Sequence, residues 1–95
     1  MLTITREQED VMPLFLNHKS AREWFKSHYG NRFVMKESSY IDGEKVYFYH
    51  LVMNRDAYLK GINKMSEGEL IGGLDFIDSY QPIEITEDGM VHVIY

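Results

Sequence analysis

Two Asp-Gly pairs, Asp42-Gly43 and Asp88-Gly89, each stand between runs of strand-forming residues. A two-residue type I′ hairpin turn needs positive φ at both central positions, and Asp-Gly meets that need at little steric cost. The flanking runs are rich in β-branched and aromatic side chains, which suit a pleated, half-buried surface. The chain is therefore expected to form β-hairpins over 32–53 and 83–95. In the first, a two-residue loop sets Ile41 opposite Glu44, Ser39 opposite Val46, Glu37 opposite Phe48, Met35 opposite His50 and Phe33 opposite Val52. That face is more apolar than the alternate one, which carries Tyr40, Tyr47, Tyr49 and Leu51, so it is assigned to the core. In the second, the same rule sets Ile83 opposite Ile94 and Ile85 opposite His92. A slip of one residue would exchange the faces.

Helical signals fill the intervals. Thr5 and Gln8 fit a capping box, and the helix that follows must end before Pro13, which cannot sit in a helix interior. Leu14-Phe15-Leu16 is then expected to enter the core. Ser20 and Glu23 suggest a second capping box. Ala21, Trp24, Phe25 and His28 form one stripe at helical spacing, and Gly30 suits the helix end. Asn54 is a good N-cap for a helix over 55–66, in which Gly61 allows close packing. Residues 67–81 are broken by Gly72-Gly73, with a helical turn expected near Leu74, Phe76 and Ile77. The order of elements predicts an α+β domain over 1–95, with a four-stranded, mainly antiparallel sheet from the two hairpins and two or three helices packed on one face. Trp24, Phe25, Phe33, Phe48, Ile62, Ile83 and Ile94 are expected to form its core, with Ile94 packed on Ile83 to hold the last strand.

Composition narrows the class. Hydrophobic residues make up 44% and aromatics 14%, enough for a packed core. There are no cysteines, so thiol chemistry and cysteine-based zinc folds are excluded, and a reducing, cytoplasmic compartment is expected. No apolar run is long enough to span a membrane, and the acidic start lacks the apolar segment of a signal peptide. The net charge is −5, with seven basic and seven acidic residues in 1–50 but three basic and eight acidic in 51–95. Nucleic acid is therefore not an expected partner, because its affinity rests on phosphate neutralisation.

At FLNHKSAREWFK, YFYHLVMN and SYQPIEITEDGMVHVIY the chain resembles small uncharacterised proteins of Bacillus-type Gram-positive bacteria. The resemblance implies a cytoplasmic bacterial or phage protein and carries no activity or site.

Candidate chemistry is sparse. Of the four histidines, His50 and His92 share the expected core face of their strands, so they could converge. Two ligands are too few for a structural zinc site, and half-buried, hydrogen-bonded histidines are the simpler reading. Lys19, Arg22 and Lys26 form a basic helix stripe able to meet an anion, against the simpler reading of a solvated face. The acidic residues Glu67, Glu69, Asp75 and Asp78 lack calcium-loop spacing. No nucleophile motif or phosphate loop occurs, so catalysis is not expected and no cofactor is assigned. Tyr40, Tyr47, Tyr49 and Leu51 make an aromatic sheet face that must be covered by a helix, by a partner or by a second copy. The leading expectation is a small binding or regulatory protein acting through a protein–protein surface, with self-association included. The alternatives are a small metal-binding protein or enzyme using His50 and His92, and a phage- or mobile-element-type inhibitor of a host protein.

Overall fold

A computed structural model of the chain describes residues 4–66, 68 and 74–94. In chain order the elements are helix α1 (Arg6–Asp10), helix α2 (His18–Tyr29) with a 3-10 turn at Gly30–Arg32, strands β1 (Phe33–Ile41) and β2 (Glu44–Val52), helix α3 (Arg55–Ser66), the helical turn α4 (Leu74–Ile77), and strands β3 (Tyr80–Thr86) and β4 (Val91–Val93). The strands form one antiparallel sheet in the order β1-β2-β3-β4. The α+β class and the four-stranded sheet from two hairpins are as expected.

The caps explain where the helices start. The Thr5 hydroxyl accepts from the Gln8 N–H, and the Gln8 side chain accepts from the Thr5 N–H, completing the expected capping box. Asn54 caps α3 by accepting from the Ala57 N–H. The α2 cap lies three residues before the expected Ser20: the Asn17 side chain accepts from the Ser20 N–H. His18 and Lys19 are thereby drawn into the helix, and the His18 N–H is taken by the Glu87 carbonyl.

The first hairpin turns as expected, with Asp42 at φ 51° and Gly43 at φ 82°. Its register follows the expected pairs from Ile41 to Glu37. A bulge between Met35 and Glu37 then shifts the pairing, so Phe33 faces Leu51 rather than Val52. The second hairpin departs at its turn. Thr86 and Met90 close a three-residue loop, Glu87–Gly89, with Gly89 at φ 88°. The Thr86 hydroxyl donates to Asp88 and accepts from the Met90 N–H, which favours the longer loop. The strands consequently pair Ile83 with Val93 and Ile85 with Val91, one residue off the expected register.

These two shifts bring Phe33 and Val93 onto the face of Tyr49, Leu51, Ile83 and Ile85. Phe33, Tyr49, Leu51, Ile83, Ile85 and Val93 share one sheet face and are buried with Ile4 and with Ala21 and Phe25 of α2. The other face carries Val52, buried with Tyr58 of α3 and Phe76 of α4, with Val34, Ile62, Met65 and Tyr80 packed beside them. The helices therefore divide between the two faces instead of sharing one. Of the expected core, Phe25, Phe33 and Ile83 are fully buried in the α2 cluster, and Trp24 packs partly against it. Ile62 belongs to the opposite cluster, and Phe48 is only half-buried. Ile94 is 36% exposed, because the register slip turns Val93 inward in its place. Gly61 packs directly against the Phe76 ring, leaving no room there for a Cβ.

Candidate functional site

The aromatic face proposed for a partner is interior. Tyr49 and Leu51 are buried beneath α2, Tyr47 is half-buried, and of the four only Tyr40 stays open to solvent. Of the expected partner surface at Tyr40, Tyr47, Tyr49 and Leu51, the last two are therefore covered by α2, while Tyr47 is part-covered and Tyr40 stays exposed. Tyrosine rings supply apolar area like any core aromatic once their hydroxyls are satisfied. The Tyr49 hydroxyl lies 2.7 Å from His18 Nε2, with the Arg22 charge nearby. His18 stacks on Tyr47 with ring centroids 3.5 Å apart and an interplanar angle of 4°, and the Tyr47 hydroxyl donates to Glu87 at 3.0 Å. Burial holds the His18 imidazole below its ordinary pKa and pushes the Tyr49 phenol up. Neutral imidazole and protonated phenol make a hydrogen-bonded seal at the rim of the core, without a phenolate.

The basic stripe is engaged locally in part. Lys26 Nζ donates to the Phe33 carbonyl at 2.7 Å, and the Arg22 charge lies near Tyr49 and His18. Lys19 stands exposed on α2.

His50 and His92 lie on the same sheet face, opposite α2, but on β2 and β4 with β3 between them. His50 sits half-buried between two tyrosines: its Nδ1 is 3.0 Å from the Tyr58 hydroxyl, and its ring stacks on Tyr80 at 3.9 Å. Burial, and then the nearby Lys36 charge, lower its pKa to about 4. His92 is exposed beside Glu84. The pair shares no site, and among the described residues no three His, Cys, Asp or Glu side chains cluster to hold a metal. Of the expected acidic loop, Glu67, Glu69, Gly72 and Gly73 lie outside the described residues.

The surface feature that sequence reasoning missed is apolar. Leu14 is 100% exposed, Leu16 89% and Val11 82%, whereas Phe15 between them turns inward against Trp24 and Phe25. Only Phe15 of the expected core segment enters the core. Alternation along an extended stretch was the available signal, since residues on either side of an inward ring must point outward. Met90, 68% exposed, faces this loop across a cleft of 190 Å³ lined by Met12, Pro13, Leu14, Phe15, Gly89 and Val91. The loop is held there by close backbone approach: Gly89 lies against the Phe15 carbonyl and the Asn17 amide, where a Cβ would collide.

The neighbouring strand edge is guarded. The Gln81 side chain accepts from the Ile4 N–H at 2.8 Å and donates to the Ile4 carbonyl at 2.9 Å, both bonds buried. From that clamp α1 runs beside β4, where a Glu9 carboxylate oxygen accepts the Val93 N–H at 3.1 Å. A larger hollow of 610 Å³ opens beyond, between Ile4, Met53, Ile77, Tyr80, Pro82 and Ile94. Among the described residues, no helix is long and apolar enough to cross a membrane. Comparison with family models, with curated proteins and with solved structures finds no match for this chain.

Proposed function

We infer that this chain is a small binding or regulatory protein acting through a protein–protein surface, and that its contact surface is the α1–α2 loop with the facing β3–β4 turn. The observation that carries the reading is the outward exposure of Val11, Leu14 and Leu16 in one short loop, with Met90 across the cleft. Isolated exposed leucines are ordinary, but Leu14 and Met90 facing each other across a cleft, with Val11 and Leu16 exposed in the same loop, suit a contact surface. Acidic residues border this loop in sequence and across the cleft: Glu7, Glu9 and Asp10 precede it, and Asp88 stands beside Met90. That rim opposes binding to an anionic membrane surface and suits a protein partner with an apolar pocket and a basic border. The inhibitor alternative, in which an acidic chain masks a basic host surface, is one form of this reading. The enzyme and metal alternatives gain no support from the separated His50 and His92.

The test is selection from a random-peptide display library, read by amide chemical shifts. Enriched peptides should combine apolar residues with Lys or Arg, perturb amides over 11–17 and 88–91, and lose binding to a Leu14→Asp variant that melts like the parent. Peptides that bind Leu14→Asp equally well, or shift a different surface, would reject this location.

A further inference from the structure

We propose that β4 is a gated edge for self-association, held closed in the monomer by Glu9 and opened to a second copy of the chain when α1 moves aside. This goes beyond the reading above, since it needs no other partner and uses the strand edge, with Met90 the exposed side chain common to both surfaces.

The backbone pattern selects the occupant. The Thr86 N–H donates to the Met90 carbonyl and the Ile94 N–H donates to the Pro82 carbonyl, so residues 90 and 94 are bonded to β3. In an antiparallel ladder the intervening odd residues then point their N–H and C=O groups away from β3. Val93 shows this directly, its N–H directed to Glu9 on the outer side. Val91 and Val93 thus form a self-complementary pair of sites. A second β4, run antiparallel about His92, sets Val91 against Val93 of its copy and Val93 against Val91, satisfying both N–H groups and both carbonyls. The two-fold arrangement is isologous, as closed dimers require.

The side chains agree with the same register. Residues directly opposite share a face, so Met90 meets Ile94 of the copy and Ile94 meets Met90. These are the two exposed apolar side chains that flank β4 on the face away from α2. His92, exposed between them, meets His92 of the copy on the axis. No other register pairs both outward valines and both exposed apolar residues at once.

Glu9 is what stands in the way. Its carboxylate occupies the Val93 N–H that the second strand needs. The strap that carries it buries none of the five α1 side chains, and it is seated in the core on either side of α1, by Ile4 with its Gln81 clamp before it and by Met12 and Phe15 after it. A helix of one to two turns has little stability of its own, so α1 can leave the edge while Ile4 stays seated.

The experiment compares the parent, Glu9→Ala and Glu9→Ala/Val91→Pro by light scattering over a concentration series. Losing a competing charge-assisted bond should tighten dimerisation about tenfold or more in Glu9→Ala. Proline at 91 removes an outward N–H and tolerates an edge position, and it should return the chain to monomer. A cysteine test stands apart from any folding cost of proline. The chain has no cysteine, and a non-hydrogen-bonded pair on the axis brings Cα atoms to about 4.5 Å, within disulfide reach. Glu9→Ala/His92→Cys should therefore oxidise to a covalent dimer, and Glu9→Ala/Lys19→Cys should not. A Glu9→Ala chain as monomeric as the parent, a parent as dimeric as Glu9→Ala, or no covalent dimer through residue 92 would each overturn the proposal. Peptide binding lost in Leu14→Asp but kept in His92→Cys would leave the loop surface standing whichever way this test falls.

Discussion

The two faces of the sheet are closed by different means. On the α2 face, nine side chains are buried together, led by Phe25, Phe33 and Tyr49, whose rings stack in series. On the opposite face, the buried cluster among the described residues is Val52, Tyr58 and Phe76, with half-buried neighbours around it and Val46 buried further along β2. Both faces use a histidine–tyrosine hydrogen bond, His18 to Tyr49 and His50 to Tyr58. On the first face that bond lies at the rim of a large apolar core. On the second it lies within the cluster, where His50 is stacked on Tyr80 and must stay neutral. Apolar area therefore carries the first face, while the second depends on ring stacking, one glycine and the charge state of one imidazole.

The largest expected effect would break the first face. Phe25→Ala should cost about 3–5 kcal/mol, because a fully enclosed ring leaves both lost transfer energy and a cavity. Phe48→Ala should cost only about 1 kcal/mol, since that ring is half-buried. Chemical denaturation of the two variants checks the contrast; equal losses would show that the second face is as fully packed as the first.

Gly61→Ala comes next and acts on the second face alone. The new Cβ would overlap the Phe76 ring, so α3 and α4 must separate. Overpacking of this kind costs about 1–3 kcal/mol, reduced by the better helix propensity of alanine. A companion Phe76→Leu change should recover part of the loss. A stabilised Gly61→Ala chain would mean that the two helices are not in close contact.

The pH effect is smaller. The folded-state pKa of His50 lies below its unfolded value of 6.5, at about 4, so the folded chain resists protonation there. Its contribution is complete above pH 6.5 and is lost as pH falls from 6.5 toward 4. Because the ring is half exposed, solvent screening holds the loss to about 1 kcal/mol. His18 shifts in the same direction. Melting temperatures of the parent and His50→Phe from pH 7 to about 4 isolate the effect, since the carboxylates are common to both chains. The difference between the two should narrow with acid if His50→Phe lacks the penalty; parallel curves would place His50 in an ordinary aqueous environment.

The smallest effect belongs to the guarded edge. Glu9→Ala should lower the stability of the monomer by about 1 kcal/mol, the value of one part-buried hydrogen bond, and at dilutions where the chain is monomeric it should speed exchange of the Val93 amide more than that of Ile94. Uniform exchange across β4 would show that Glu9 does not cap the strand.

The chain by itself determined the local elements. The Thr5–Gln8 box, the Asn54 cap, the helical stripe of Ala21, Trp24 and Phe25, and the left-handed turn at Asp42-Gly43 all rest on interactions within a few residues. Such interactions are written in local spacing, and the α+β order of elements follows from them. What only the tertiary structure decided was facing. The bulge beside Lys36 and the third loop residue at Asp88 each displace a strand by one position, and a period of two converts that displacement into an exchange of inside and outside. Phe33 and Val93 thereby joined the face of Tyr49 and Leu51, which α2 covers, while His92 and Ile94 became surface, and the candidate site moved from the tyrosines to Val11, Leu14, Leu16 and Met90. Glu9 at Val93 and Gln81 at Ile4 join residues 84 and 77 positions apart. No local pattern encodes such bonds, because they depend on which strand ends at the edge and which segment is left to cover it.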